Sequence, residues 1–272
     1  MSGAGRRFLG IDFSGNAQSW RPGRARNVWI AETVVDGAGP VLRSLRPVQE
    51  LAGEGPPFDR LVALLRRRDF AAAAIDAPFS LPAAALADGR EALLREVAAM
   101  PLPQGRPFPS GGQLVAAVAA RCALAEKKPR RIAERQWPVN VRSTLWNGPR
   151  GGAPFTAACL RLIAAAGLEC WPWSESGDAL LVEAFPAAQL RVWGLPHQKY
   201  GGADEGPVRQ KILDGIGNRL ATAAEQRARM LGSPDALDAV LCCFAGMAVR
   251  SGRLAAPRGD GGNGEGWIAV HA

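Results

Sequence analysis

The sequence has few of the residues that build zinc sites and disulfides. It contains two histidines, His197 and His271, and its five scattered cysteines include no CxxC pair. A zinc site is therefore not expected, because such sites draw on sulfur and imidazole ligands at set spacings. The odd number of cysteines indicates reduced thiols, as in a cytoplasm.

Long apolar stretches are missing as well. No apolar run reaches the roughly 18 residues that a membrane-spanning helix needs. The first apolar stretch, FLGIDFSG, is short and contains an acid, unlike the apolar core of a signal peptide. We therefore expect a cytoplasmic protein with neither a signal peptide nor a membrane span.

The composition that is present suits a globular protein. Of the 272 residues, 47% are hydrophobic and 21% are charged, so a sizeable core is expected. Lysine plus arginine number 33 against 25 acids, which gives a net charge of +8. This charge suits a polyanionic partner such as nucleic acid. A generally arginine-rich composition without a particular partner is the alternative.

The order of predicted elements indicates an α/β domain. Three strands come first, over residues 6–15, 26–35 and 41–48. An amphipathic helix over residues 57–68 and a buried strand over residues 71–82 follow. We expect one domain over the whole chain, from residue 1 to residue 272, with no internal repeat and no linker.

The second half is predicted to be mainly helical. Residues 83–178 form a mostly helical insertion, and another strand begins near residue 179. A basic helix is predicted over residues 207–231, and a glycine-rich loop over residues 258–266 precedes a last short strand, WIAVHA. Between them lies an apolar helix that begins at Ser233, a favourable N-cap, with proline at its first position.

Five acidic residues lie where a plain core would not have them. Asp12 and Asp76 each end a predicted strand, Glu183 lies inside the apolar run LLVEAFPAA, and Asp235 and Asp238 open the apolar helix. Each has a simpler explanation when it is taken alone. The strand-end aspartates could form turns, Glu183 could pair with an arginine, and Asp235 could complement the helix dipole.

Taken together, the acids indicate a metal site. Asp235 and Asp238 are three residues apart and share one side of a helix. If the strands are parallel neighbours and the helix packs on the sheet, we predict that Asp12, Asp76 and Asp238 converge at one sheet edge. Clustered carboxylates repel one another unless a cation lies between them. We expect Mg²⁺ or Mn²⁺, because two such ions about 3.5–4 Å apart support phosphodiester hydrolysis.

Several motifs resemble those of a known family. GIDFSG, IDAPFSLP, VEAFPAAQLRVWGL and DALDAVLCCFAG resemble the motifs of the domain-of-unknown-function 429 (DUF429) family, which is predicted to be an RNase H-like nuclease. The resemblance extends from the first strand to the closing EGWIAV, although residues 83–178 show only a rough likeness at RRIAER. It implies an RNase H-like fold, a mixed sheet flanked by helices in which the second strand is antiparallel to the others.

The resemblance also implies a ligand set. Asp12 and Asp76 would be strand ligands of the metal. Asp235 and Asp238 would be helix ligands, since DALDA also resembles the last-helix acids of Holliday-junction resolvases. Glu183 lies in a family motif, but no metal role is assigned to it.

A basic segment, KKPRRIAERQWPVNVRSTLWNGPR, is a second candidate site. Arginine favours phosphate, and unpaired bases stack on aromatic rings. The residues expected to contact nucleic acid are Arg130, Arg131, Arg135, Arg142 and Trp146. A solvated helix face with core tryptophans is the alternative. Lys199, in the polar loop HQKYGG, is a further candidate that could contact a phosphate or the attacking water.

Three functions compete. The leading one is a metal-dependent nuclease that hydrolyses phosphodiester bonds in DNA or RNA, with the catalytic set Asp12, Asp76, Glu183, Asp235, Asp238 and Lys199. The second is a nucleic-acid-binding protein that keeps the fold but has lost catalysis, against which the intact set of acids argues. The third is an actin-like ATPase or sugar kinase, since GIDFSG also resembles the first phosphate loop of that related superfamily. IDAPFSLP lacks the glycine of a second such loop. The oligomeric state stays open.

Overall fold

A six-stranded mixed sheet forms the centre of the structure, a computed structural model that describes residues 5–23, 27–137, 139, 141–256 and 264–272. Its strands are β1 (Arg6–Asp12), β2 (Trp29–Asp36), β3 (Gly39–Pro47), β4 (Ala72–Asp76), β5 (Glu169–Cys170) and β6 (Leu180–Glu183). They are arranged in the order β3-β2-β1-β4-β6-β5. Strand β2 pairs antiparallel with β1 and β3, whereas the β1–β4, β4–β6 and β5–β6 pairs are parallel.

Helices cover both faces of the sheet. In the described part of the chain they are α1 (Pro57–Arg66), α2 (Gly89–Ala99), α3 (Gly111–Arg121), α4 (Ile132–Gln136), α5 (Ala153–Ala166), α6 (Pro186–Val192), α7 (Gly206–Ile216), α8 (Ala224–Gly232) and α9 (Pro234–Ser251). Helices α1, α2, α3 and α5 pack into the core on one face, and α6 to α9 pack into the core on the other. The fold is therefore the RNase H-like α/β fold that the resemblance implied.

Side-chain alternation along β1 assigns its residues to the two faces. Leu9 and Ile11 lie in the core shared with α1 and α5, whereas Phe8 lies in the core shared with α9. Asp12 has the parity of Phe8, so it points to the face that α9 covers. The strand period therefore decides on which face the candidate ligands lie.

Helix α9 lies almost directly on β1. A Cβ atom at Gly10 would come within 2.0 Å of the carbonyl oxygen of Ala239 and within 2.7 Å of the Cys243 nitrogen. Only glycine permits this approach, because any side chain would collide with helix backbone. The Ser233 hydroxyl caps the helix by accepting from the Ala236 nitrogen at 3.2 Å, as the sequence predicted.

Several predicted boundaries need correction. The basic helix expected over residues 207–231 is two helices, α7 and α8, separated by residues 217–223. The closing segment WIAVHA forms isolated bridges, Ala184 with Ala269 and Leu254 with His271, rather than a regular strand. The glycine-rich loop predicted over residues 258–266 lies largely outside the described residues. Between residues 83 and 178 the described residues form α2 to α5 and the short strand β5.

Among the described residues, no single helix is long and apolar enough to cross a membrane. Helices α8 and α9 are long and apolar enough for a membrane span only when they are taken together, and they are bent by 116° relative to each other.

Candidate metal centre

The carboxyl ends of two neighbouring strands form the base of the site. Strands β1 and β4 are parallel, and Asp12 and Asp76 are direct register partners at their ends. Residues Ala72 and Ala74, which share the parity of Asp76, lie in the core beneath α9. Both aspartates therefore point to the face that α9 covers, at the same edge of the sheet.

Helix α9 adds a third carboxylate. The close packing of α9 on Gly10 brings its first turns over the ends of β1 and β4. One carboxylate oxygen from each of Asp12, Asp76 and Asp238 lies within 4.8 Å of the others. The predicted convergence of these three residues is confirmed. We call this cluster of Asp12, Asp76 and Asp238 the carboxylate triad.

Burial and mutual repulsion shift the ionisation of the triad. Burial raises the pKa of Asp12 well above its ordinary value, and the charges of Asp238, Asp235 and Asp76 raise it further. Burial likewise raises the pKa of Asp238, to which the charges of Asp76 and Asp235 add. The direction of these shifts is that of carboxylates that repel one another, and a cation bound between them would relieve the repulsion.

The pKa of Asp76 is raised to about 7, mainly by burial and then by the charge of Glu183, while the charge of Arg142 opposes the shift. Arg142 therefore lies within electrostatic range of Asp76. Its side chain is exposed, and the guanidinium carbon is 5.2 Å from the centroid of the Phe155 ring.

Asp235, the fourth predicted ligand, lies beside the triad rather than within it. It is half-buried and lines the same cavity as Asp12 and Asp76. Its charge raises the pKa of both Asp12 and Asp238, so it lies within electrostatic range of both. Burial raises its own pKa as well.

Tyr200 is a site residue that the sequence analysis did not identify. Its hydroxyl group donates a hydrogen bond of 2.9 Å to Oδ1 of Asp238, and this bond favours the charged form of the aspartate. Tyr200 is the single tyrosine of the chain, and it lies next to the proposed Lys199 in the loop HQKYGG. Lys199 itself is exposed and does not line the cavity beside the triad. The tyrosine could have been singled out by its rarity, but nothing local links it to a helix 38 residues away.

Glu183 and Arg131 form a buried ion pair. Two guanidinium nitrogens of Arg131 donate to the carboxylate of Glu183, one of them at 2.8 Å, and the Phe79 nitrogen donates to it at 3.0 Å. Nε of Arg131 also donates to Glu134 at 2.8 Å. The arginine pairing considered for Glu183 is therefore present. Because Arg131 is 1% exposed and bound to two carboxylates, its placement disagrees with the expectation that it contacts phosphate.

The other predicted nucleic-acid contacts are accessible. Arg130, Arg135 and Arg142 are exposed, and Arg135 pairs loosely with Glu126 at 3.7 Å. The half-buried ring of Trp146 carries two ammonium groups near its face, with Nζ of Lys127 and Lys128 at 5.3 and 4.5 Å from the centroid. This surface combines positive charge with an aromatic ring, as the sequence pattern suggested.

Comparison with known proteins adds one finding. A family model described as "Protein of unknown function (DUF429)" matches residues 10–260, which include Asp12, Asp76, Asp235 and Asp238. Neither the curated proteins nor the solved structures contain a match to the chain.

Proposed function

The chain belongs to the DUF429 family, and from this premise we propose that it is a Mg²⁺- or Mn²⁺-dependent nuclease that hydrolyses phosphodiester bonds in DNA or RNA. The observation that carries the proposal is the carboxylate triad, whose oxygens approach within 4.8 Å at the edge of an RNase H-like sheet. The triad joins residues from β1, β4 and α9, which are far apart in sequence. A purely structural reason for placing three acids together is hard to find, because each repels the others.

The donor set fits a hard divalent cation. All three ligands are carboxylates, and oxygen donors suit Mg²⁺ and Mn²⁺ better than metals that favour sulfur or imidazole. Asp12, Asp76 and Asp238 would hold the metal, with Asp235 as a further ligand beside them. When bound, such ions supply an activated water and stabilise the attacking and leaving oxygens of a phosphodiester.

The residues around the triad support a phosphate substrate. Arg142 presents an exposed guanidinium group beside the carboxylates, where it can donate to a phosphate oxygen. Tyr200 holds the orientation of Asp238 through its hydroxyl group. The net charge of +8 favours the approach of a polyanion.

Metal binding and cleavage test the proposal together. Calorimetric titration with Mn²⁺ should show binding to the wild-type protein, and Asp12→Asn should weaken that binding strongly. Glu54→Gln neutralises an exposed acid outside the site and serves as the control. Labelled single-stranded and double-stranded DNA and RNA should be cleaved with Mn²⁺ but not with EDTA. Cleavage that persists at full rate in Asp12→Asn would refute the assignment.

A nucleic-acid-binding protein without catalysis is the second candidate, favoured by the arrangement of Lys127 and Lys128 around Trp146. Under this alternative, nucleic acid binds equally well with Mn²⁺ and with EDTA, and no product forms. In both cases affinity should fall steeply between low and physiological salt, because arginine–phosphate contacts release counterions. An affinity that does not change with salt would show that the basic charge is only compositional.

A further inference from the structure

A cavity of about 430 Å³ adjoins the triad, and we propose, on the basis of the nuclease function proposed above, that it accommodates one unpaired nucleotide of a single-stranded substrate. Asp12, Asp76 and Asp235 line one part of it. The lining also includes aromatic rings and an exposed guanidinium group, contributed by Phe13, Phe155, Phe185 and Arg142, and the ion-paired side chains of Arg131, Glu134 and Glu183. The cavity therefore combines a metal-binding wall with surfaces suited to a base and a phosphate. We call it the nucleotide cavity.

Arg142 is the exposed arginine of the nucleotide cavity, since the other arginine in its lining, Arg131, is buried against two carboxylates. The guanidinium group of Arg142 is exposed, and among the described residues it forms no ion pair, although it lies within electrostatic range of Asp76. It is instead positioned over Phe155, 5.2 Å from the ring centroid. An arginine that is held in place but not neutralised is suited to bind a non-bridging phosphate oxygen beside the carboxylates.

Backbone contacts hold Phe155, at the start of α5, against the end of strand β1, which carries Asp12. A Cβ atom at Gly15 would lie 2.4 Å from the carbonyl carbon of Pro154 and 2.5 Å from the nitrogen of Phe155, so the turn after β1 touches the start of α5 directly. The Gly152 nitrogen donates to the Ser143 carbonyl at 3.0 Å, which joins the segment after Arg142 to the same helix start. Because these contacts are between backbones, Phe155 is preorganised relative to Asp12.

The size and lining of the cavity favour an unpaired nucleotide over a duplex segment. A volume of about 430 Å³ falls within the range of about 300–1,000 Å³ found for small-molecule sites. Phe155 and Phe185 are half-buried and line the cavity, so neither ring is fully covered by the protein. Stacking on such rings needs a base whose faces are free, and the bases inside a duplex are covered by their neighbours. Since every base has two such faces, we expect little sequence preference.

Titration with thymidine 5′-monophosphate in the presence of Mn²⁺ tests the cavity directly. This probe contains no phosphodiester bond, so binding is measured without cleavage. Phe155→Leu should weaken binding about tenfold, because the loss of one base–aromatic stacking contact lowers the affinity by roughly this factor. Phe155→Tyr keeps an aromatic ring and should retain binding. Arg142→Gln should weaken binding of both this probe and 2-deoxyribose 5-phosphate, while Phe155→Leu should leave the baseless probe unaffected. Arg95→Gln changes an exposed arginine on α2 outside the cavity and should have no effect.

Cleavage provides the second measurement. A 20-nucleotide single strand should be cut, and the same strand annealed to its full complement as a blunt-ended duplex should be cut at least tenfold more slowly. Failure of wild-type protein to bind thymidine 5′-monophosphate, together with equal cleavage of both substrates, would overturn the cavity assignment but leave the nuclease proposal intact. Binding that depends on Phe155 and Arg142 without cleavage of any substrate would support the cavity and refute the nuclease function instead.

Discussion

The substitution Asp238→Asn distinguishes two possible roles of Asp238, that of a metal ligand and that of a structural acid. The two roles predict opposite changes in the stability of the metal-free protein. The asparagine keeps the size of the aspartate, and its carbonyl oxygen can still accept the hydrogen bond from Tyr200. What the substitution removes is one negative charge from the triad. If Asp238 serves a metal, the metal-free protein should therefore become more stable.

The size of this gain follows from the geometry of the triad. Two unit charges 4.8 Å apart repel by about 3.5 kcal/mol at an effective dielectric constant of about 20. The pKa of Asp76, raised to about 7, means that the triad holds part of a proton at neutral pH, which reduces the repulsion. We therefore expect a gain of about 2–4 kcal/mol at pH 8, which corresponds to a rise in Tm of about 4–7 °C.

The assay is thermal unfolding at pH 8, with EDTA and with saturating Mn²⁺. Mn²⁺ at about 100 times its Kd stabilises the wild-type protein by about 2.7 kcal/mol, and this increment should be largely lost in the variant. Nuclease activity should fall by orders of magnitude in parallel. Glu54→Gln controls for removal of an exposed negative charge.

If Asp238 is instead a structural acid, Asp238→Asn should change the metal-free stability in the opposite direction. If Asp238 mainly stabilised a buried partner, the substitution should lower the free energy of unfolding by about 3–5 kcal/mol. A lower Tm in EDTA, together with unchanged Mn²⁺ binding, would refute the role of Asp238 as a metal ligand.

Three further predictions follow from the same geometry. The pKa of Asp76 is raised in the folded state, so the folded protein binds this proton more tightly than the unfolded chain does. This contribution to metal-free stability is fully present below pH 4 and is lost as the pH rises to about 7. Unfolding measured in EDTA over this pH range would contradict the prediction if stability rose instead. Tyr200→Phe should weaken Mn²⁺ binding by about tenfold while the fold is kept, because it removes the hydrogen bond that orients Asp238, and unchanged affinity in calorimetry would count against that role. Gly10→Ala should destabilise the protein severely and weaken Mn²⁺ binding, since the added methyl group would come within 2.0 Å of helix backbone. The control is Gly37→Ala, whose methyl group meets no atom within 4 Å, so it should leave both Tm and Mn²⁺ binding nearly unchanged.

Much of the sheet and part of the site could be predicted from local patterns. Alternating and buried apolar runs located β1 to β4, because the period of a strand is visible in a few residues. Asp12 and Asp76 were conspicuous because a charged residue at the end of an apolar strand is unusual. The start of α9 was marked by Ser233 and Pro234, whose capping chemistry is local.

Other features had no local signal. The helix predicted over residues 207–231 is interrupted at residues 217–223, and propensity alone did not reveal where α7 ends. Arg131 looked like one more cation of a basic segment, although its partner Glu183 lies 52 residues further along the chain. Its burial depends on that partner, because an isolated buried charge would be too costly.

The sequence by itself determined which residues are acidic at strand and helix ends, and therefore which residues could bind a metal. Tertiary structure decided which of them meet. Parallel pairing of β1 with β4 set Asp12 beside Asp76, and the contact of α9 with Gly10 brought Asp238 to them. Tertiary packing also placed Tyr200 against Asp238 and Glu183 against Arg131. These pairings depend on distances between segments far apart in the chain, which side-chain periodicity within any one segment does not encode.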